Sequence, residues 1–150
     1  MGDIGPIGSA NIGSAAAIFD GRGRVLLVKH TYGNLNWNPP GGLALPGEEP
    51  SAAAARELEE ETGLRIPPGA ISGLYYEPSH DFGPMLHFVF RFAHDPAQTP
   101  LAMPPEIGEV GWFDIDQLPR PITDFVEDRV RDALGTGCTY RVVTGRVWRE

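Results

Sequence analysis

The chain is poor in cysteine and in positive charge, and it has no long apolar run. Cys138 is the single cysteine among 150 residues, so no internal disulfide can form, no cysteine spacing suggests a zinc site, and nothing calls for an oxidising compartment. Twelve Lys and Arg stand against 20 Asp and Glu, a net charge of −8. That balance repels nucleic-acid phosphates in bulk and argues against a sequence-independent DNA or RNA binder. A phosphate-bearing ligand would have to be met through metal ions. No stretch approaches the roughly 18 consecutive apolar residues of a membrane-spanning helix. Residues 1–13 are small and apolar but lack the basic start of a secretory signal. They are expected to be a flexible lead-in, residues 14–150 one domain, and the cytoplasm the location.

What is present is a soluble, turn-rich composition: 41% hydrophobic and 21% charged residues, with 19 Gly and 15 Pro. Ser14 to Phe19 and Val25 to Val28 are short apolar runs around a Gly-rich turn, which predicts a hairpin. Thr31 to Pro46, with Trp37, Pro39, Pro40, Gly41 and Gly42, reads as a loop. From Ser51 a run of strong helix formers, four alanines then Arg56, Glu57, Leu58 and three glutamates, predicts a helix that starts at Pro50 or Ser51 and stops at Gly63. Ile71 to Tyr76 and Met85 to Phe92 read as strands flanking a turn, and Val110 to Phe113 as a further strand of the sheet. Ile122, Phe125, Val126 and Val130 recur at helical spacing, and Tyr140 to Trp148 forms a last strand or an ordered tail. Strands and helices mix without strict alternation. The expected fold class is therefore α/β, a mixed sheet with a helix on each face.

Glu57, Glu60 and Glu61 stand at i, i+3 and i+4 of the first helix, so their carboxylates share one face. Three like charges on adjacent turns repel, and hard oxygen donors of this kind suit Mg²⁺ or Mn²⁺, which retains waters and takes substrate phosphate oxygens as further ligands. A solvated surface face is the ordinary reading of such a triplet. What displaces it is the surrounding pattern: Gly42, five residues, Glu48, seven residues, Arg56-Glu57-Leu58, one residue, Glu60-Glu61, one residue, Gly63-Leu64.

That pattern resembles the signature box of the Nudix hydrolase superfamily. The resemblance implies an α/β/α sandwich and a Mg²⁺-dependent hydrolase, with Mn²⁺ as a substitute, acting on a pyrophosphate bond. Its substrate would be a small nucleotide, a nucleoside diphosphate joined to a further group: ADP-ribose, a nucleotide sugar, a dinucleoside polyphosphate or a nucleoside triphosphate. It implies that Glu57, Glu60 and Glu61 are catalytic metal ligands, joined by a backbone carbonyl of Gly41, with Glu48 and Arg56 as a supporting pair. Glu106, ahead of Trp112, is the candidate for an extra ligand or the proton acceptor, with Glu109 nearer the strand start. Lys29 and His30 occupy positions where related enzymes contact phosphate. His80, in a hairpin tip with Asp81 and Phe82 and near Tyr75 and Tyr76, could close over a base or sugar. An RNA 5′ end is a weaker expectation, given the acidic charge. A nucleotide-binding or regulatory module without catalysis is the alternative from another class, and a homodimer is a further expectation.

Overall fold

A computed structural model describes residues 8–81 and 83–150; Phe82 and most of the lead-in, residues 1–7, lie outside the described residues. The elements run β1 (Asn11–Ile18), β2 (Val25–His30), β3 (Trp37–Asn38), β4 (Gly41–Leu43), α1 (Pro50–Thr62), β5 (Pro68–Glu77), β6 (Met85–Phe92), β7 (Ile107–Phe113), β8 (Ile122–Thr123), α2 (Asp124–Ala133), β9 (Thr139–Val142) and β10 (Trp148–Arg149).

Strand β1 is the axis of the molecule. Its small residues are buried on both faces, which requires cover on both sides. Ala16 and Ile18 pack with Phe90 and Phe92 of β6 against Ala54 and Leu58 of α1. Ala15 and Ala17 pack with Val89 and Tyr75 against Phe125 and Ala133 of α2. The two-residue period of the strand thus sorts its alanines between two helices, and the sandwich of a mixed sheet between helices follows. The five strands β4-β1-β6-β5-β9 form this sheet, with β1–β6 and β5–β9 parallel and the other pairs antiparallel.

Four expectations are corrected. β1 begins at Asn11, whose partner is Met85, so the last residues of the expected lead-in belong to the sheet. The hairpin is reduced to a single bridge, Phe19 to Val25; β2 leaves β1 and pairs with β3 and β7 in a separate three-stranded antiparallel sheet. β7 therefore widens that second sheet and not the first. The Pro- and Gly-rich loop contains two short strands, β3 and β4, because edge positions tolerate residues that would break a central strand. The tail keeps to its expectation of a last strand: β9 is added to β5, and a short β10 pairs with β8.

Both helices start and stop on local signals. Glu49 accepts hydrogen bonds from the N–H groups of Ser51 and Ala52, Pro50 opens α1, and Gly63 closes it at φ 75°, a left-handed position that costs glycine nothing. Thr123 caps α2 through the N–H of Val126, so Ile122, expected in the helix, sits in β8. No helix of the described residues is long and apolar enough to cross a membrane.

Candidate active site

Helix α1 carries the three glutamates toward the β4 edge, and the neighbouring backbone explains the paired glycines. A Cβ on Gly42 would lie 2.7 Å from the carboxylate carbon of Glu57, and one on Gly41 would lie 2.5 Å from the carbonyl oxygen of Ser14. At Gly41 a side chain would force the strand away from the backbone of β1, and at Gly42 it would displace the Glu57 carboxylate. The Gly41 N–H donates to Glu61 Oε1 at 2.9 Å. The N–H of Gly41 thus anchors a box glutamate, a contact separate from the metal-ligand role expected of its carbonyl.

Arg56 organises the face. It grips Glu48 with two bonds, Nε to Oε2 at 2.8 Å and Nη2 to Oε1 at 3.0 Å. Its Nη1 reaches Glu57 at 3.0 Å and Glu60 at 3.2 Å, and its Nη2 also donates to the Leu43 carbonyl at 3.1 Å. One guanidinium therefore ties β4, the following loop and α1 together. The hydrogen bonds from Arg56 and from the Leu45 N–H hold the Glu48 carboxyl down to about 2, so Glu48 stays an anion.

The ligand candidates differ in environment. Glu60 is exposed, Glu57 is half-buried and Glu61 is buried. Burial raises Glu57 against the opposing charge of Arg56. Burial raises Glu61 more, to about 8, with the charges of Glu57, Glu106 and Glu60 adding to it and the Gly41 N–H opposing. Glu61 Oε2 is buried without a hydrogen-bond partner among the described residues. A buried carboxylate oxygen with no donor is strongly disfavoured as an anion unless a cation or a proton completes it. Hard oxygen donors on one helix face, one of them orphaned, fit a divalent metal ion. Among the described residues no three acidic, His or Cys side chains are already closed about one point. Mg²⁺ does not require that, since it binds through one or two carboxylates and keeps waters and phosphate oxygens.

Next to this face is a cavity of about 250 Å³, lined by Gly41, Gly42, His30, His80, His87 and Arg129 among others. The glutamates themselves do not line it; the Gly41-Gly42 strand is the shared wall. His30 stacks on Tyr32, with ring centroids 4.9 Å apart, at the cavity rim. Burial lowers His30, opposed by the charge of Glu106; burial and the charges of Glu61, Glu106 and Glu57 raise Tyr32. Those influences place Glu106, exposed at the start of β7, within electrostatic range of the carboxylate face. Its backbone carbonyl also accepts from the Thr31 N–H at 2.9 Å.

The structure thus brings Glu57, Glu60, Glu61, Glu48, Arg56 and Gly41 together, sets Glu106 near them, and places His30 and His80 on the cavity. Lys29 is not brought in. It alternates away from His30 along β2 and pairs with Glu109 at 3.4 Å. Sequence reasoning missed Tyr32, His87, Arg129 and Arg146 of the cavity wall. One signal was available: Arg129 sits among Phe125, Val126, Val130 and Ala133 on the apolar face of α2, where a charge is out of pattern.

An α/β/α sandwich with a glutamate-faced helix beside a small polar cavity defines a class, and comparison with known proteins supplies its family. Residues 11–133 match the NUDIX domain family. The chain is 28% identical to a MutT-like protein of Streptomyces ambofaciens over 142 residues, covering 94% of this chain and 87% of that protein. It is 33% identical to an RNA pyrophosphohydrolase of Erythrobacter litoralis strain HTCC2594, covering 63% and 69%. A MutT NUDIX hydrolase structure from Burkholderia pseudomallei superposes with a TM-score of 0.72 at 25% identity, over 83% of this chain and 98% of that one. The chain belongs to the Nudix hydrolase superfamily.

Proposed function

We propose that this Nudix hydrolase cleaves the pyrophosphate bond of a small nucleoside-diphosphate derivative, with Mg²⁺ (or Mn²⁺ in its place) held by Glu57, Glu60 and Glu61. The observation that carries the reading is Glu61: a buried carboxylate oxygen without a hydrogen-bond partner among the described residues, on a helix face that shares the Gly41-Gly42 wall with a nucleotide-scale cavity. When bound, such a metal neutralises phosphate charge and makes a coordinated water acidic enough to attack phosphorus.

The chain's own residues do the rest. Arg56, fixed by Glu48, holds Glu57 and Glu60 in position and limits their mutual repulsion. The Gly41 N–H orients Glu61. Glu106 is the proton acceptor in this reading, an exposed carboxylate whose charge is felt at Glu57 and Glu61. His30, Tyr32 and His80 border the cavity and contact the group attached to the diphosphate.

The test is a panel of ADP-ribose, nucleotide sugars, dinucleoside polyphosphates and nucleoside triphosphates with Mg²⁺ or Mn²⁺, scoring nucleotide and phosphate products. A 5′-triphosphate RNA belongs in it because of the similarity to an RNA pyrophosphohydrolase. Turnover that Glu60→Gln lowers by about a hundredfold or more, at an unchanged fold, is expected. No turnover on any member would instead support a catalytically inactive binding module.

A further inference from the structure

The cavity wall contains a buried guanidinium without an ion pair among the described residues. Arg129 of α2 keeps 8% of its exposure. Its Nε donates to the Phe125 carbonyl one turn earlier, at 3.4 Å, and its guanidinium lies 4.1 Å over the Phe125 ring. Nη1 and Nη2 carry no hydrogen bond and no ion pair among the described residues, and Arg129 lines the cavity that Gly41 and Gly42 also line.

The neighbours do not supply the missing charge. Arg146 lies 4.8 Å from the same ring, but its Nε and Nη2 grip Glu77 at 2.9 and 2.7 Å. His87 Nε2 is 3.0 Å from Glu77 Oε1. Burial, followed by the charge of Arg129, pushes His87 down to about 4, so it is neutral at pH 7, and the direct ion pair of Glu77 is with Arg146. Burial and the charge of Arg146 push Arg129 down to about 10, against the opposing charges of Tyr75 and Glu77, which leaves it protonated. Arg129 therefore keeps a buried positive charge with no ion pair among the described residues, in a protein whose net charge is −8. Burying such a charge is strongly unfavourable unless an anion meets it.

We propose that Arg129 is an anion-recognition residue, and that the substrate carries a second anionic group, a phosphate or a carboxylate separate from the scissile pyrophosphate, which docks on its guanidinium. The assignment rests on the hydrolase reading above, because the cavity is shared with the Gly41-Gly42 wall of the carboxylate face. A planar fork with two free nitrogens matches the two oxygens of either group. A neutral nucleobase carbonyl would satisfy the donors but leave the charge. The Phe125 face is already covered by guanidinium and is closed to base stacking.

Two matched probe pairs separate the two sources of the anion. NADP differs from NAD by one phosphate, and UDP-glucuronate differs from UDP-glucose by one carboxylate; each pair keeps its pyrophosphate constant. Dissociation constants are measured calorimetrically on the full chain with Ca²⁺ in place of Mg²⁺, a larger ion of looser geometry that still meets the pyrophosphate, and product formation is scored in the same samples. The wild type is expected to bind the more anionic member of at least one pair about tenfold tighter. Arg129→Gln should abolish that preference while shifting the neutral member by no more than about twofold. Equal binding within both pairs in the wild type, or a preference that survives in Arg129→Gln, overturns the proposal. If circular dichroism shows that Arg129→Gln does not fold, Arg129→Lys decides: it keeps the charge and loses the fork, and an undiminished preference there overturns the proposal, whereas a severalfold reduction supports it. The hydrolase reading fails separately, through absent turnover with Mg²⁺, whatever the binding preference.

Discussion

Arg56 reaches three glutamates at once, and its five donors cannot be replaced by an ammonium. Arg56→Lys is expected to keep the charge but lose the two-point grip on Glu48, lowering kcat/KM by about tenfold, less than Glu60→Gln does; steady-state assays of the two variants side by side check the order. This part of the site was legible because the box places its residues by chain spacing on one helix and one loop. His87 was not, since a lone histidine in a strand carries no signal until the fold sets Glu77, Arg129 and Arg146 around it. Its position has a consequence for pH. The folded pKa is about 4 against an ordinary 6.5, so the unfolded chain takes up the proton first as pH falls. The stability His87 contributes is complete above pH 6.5 and is lost as pH drops through about 4, on the order of 3 kcal/mol in all. Glu77, held below its ordinary value because the bonds from Arg146 and His87 outweigh burial, adds loss in the same direction at lower pH. Denaturant midpoints measured between pH 7 and pH 4 should fall steeply in the wild type and less in His87→Gln.

At the scale of elements, α1 was readable to its ends, from Pro50 to Gly63, because capping and composition act within a few residues of chain. The partnership of β1 and β2 was misread. A Gly-rich turn between apolar runs signals a hairpin, but tertiary packing carries β2 into another sheet, where Val25 and Leu27 pack against Val126 and Val130 of α2. Strand β4 was hidden for a related reason: two glycines have no β propensity, and what seats them is the lack of room between β1 and α1. That crowding distinguishes the two positions. A Cβ on Gly42 meets the mobile end of Glu57, whereas one on Gly41 meets the backbone of Ser14 and Ala15. Gly42→Ala is therefore expected to fold with a Tm near that of the wild type and to bind Mn²⁺ about tenfold more weakly, read by electron paramagnetic resonance. Gly41→Ala should lower the Tm itself, because β4 must separate from β1.

For the whole molecule, the C-terminal segment is fastened to β5, β8 and α2. It lies beyond residues 11–133, which match the family, yet Arg146 lines the cavity and neutralises buried Glu77. The segment also adds β9 to β5, joins β10 to β8, and sets Arg149 on Glu127 at 2.9 Å. The sequence carried only the expectation of a last strand or an ordered tail over Tyr140 to Trp148; the pairings could not be read, because residues 139–149 show neither a strong period nor a motif and their partners lie far away in the chain. The carboxylate face stands apart from it, with α1 packed on the opposite side of the sheet from α2. Truncation after Val143 should therefore separate two properties. Glu77 would be left as a buried anion without its guanidinium, a loss of about 3–5 kcal/mol, and the cavity would lose one wall. Chemical denaturation should show that drop and substrate titration a raised KM, while Mn²⁺ affinity at the α1 glutamates stays at the wild-type value; a parallel loss of metal affinity would mean that the tail supports both faces.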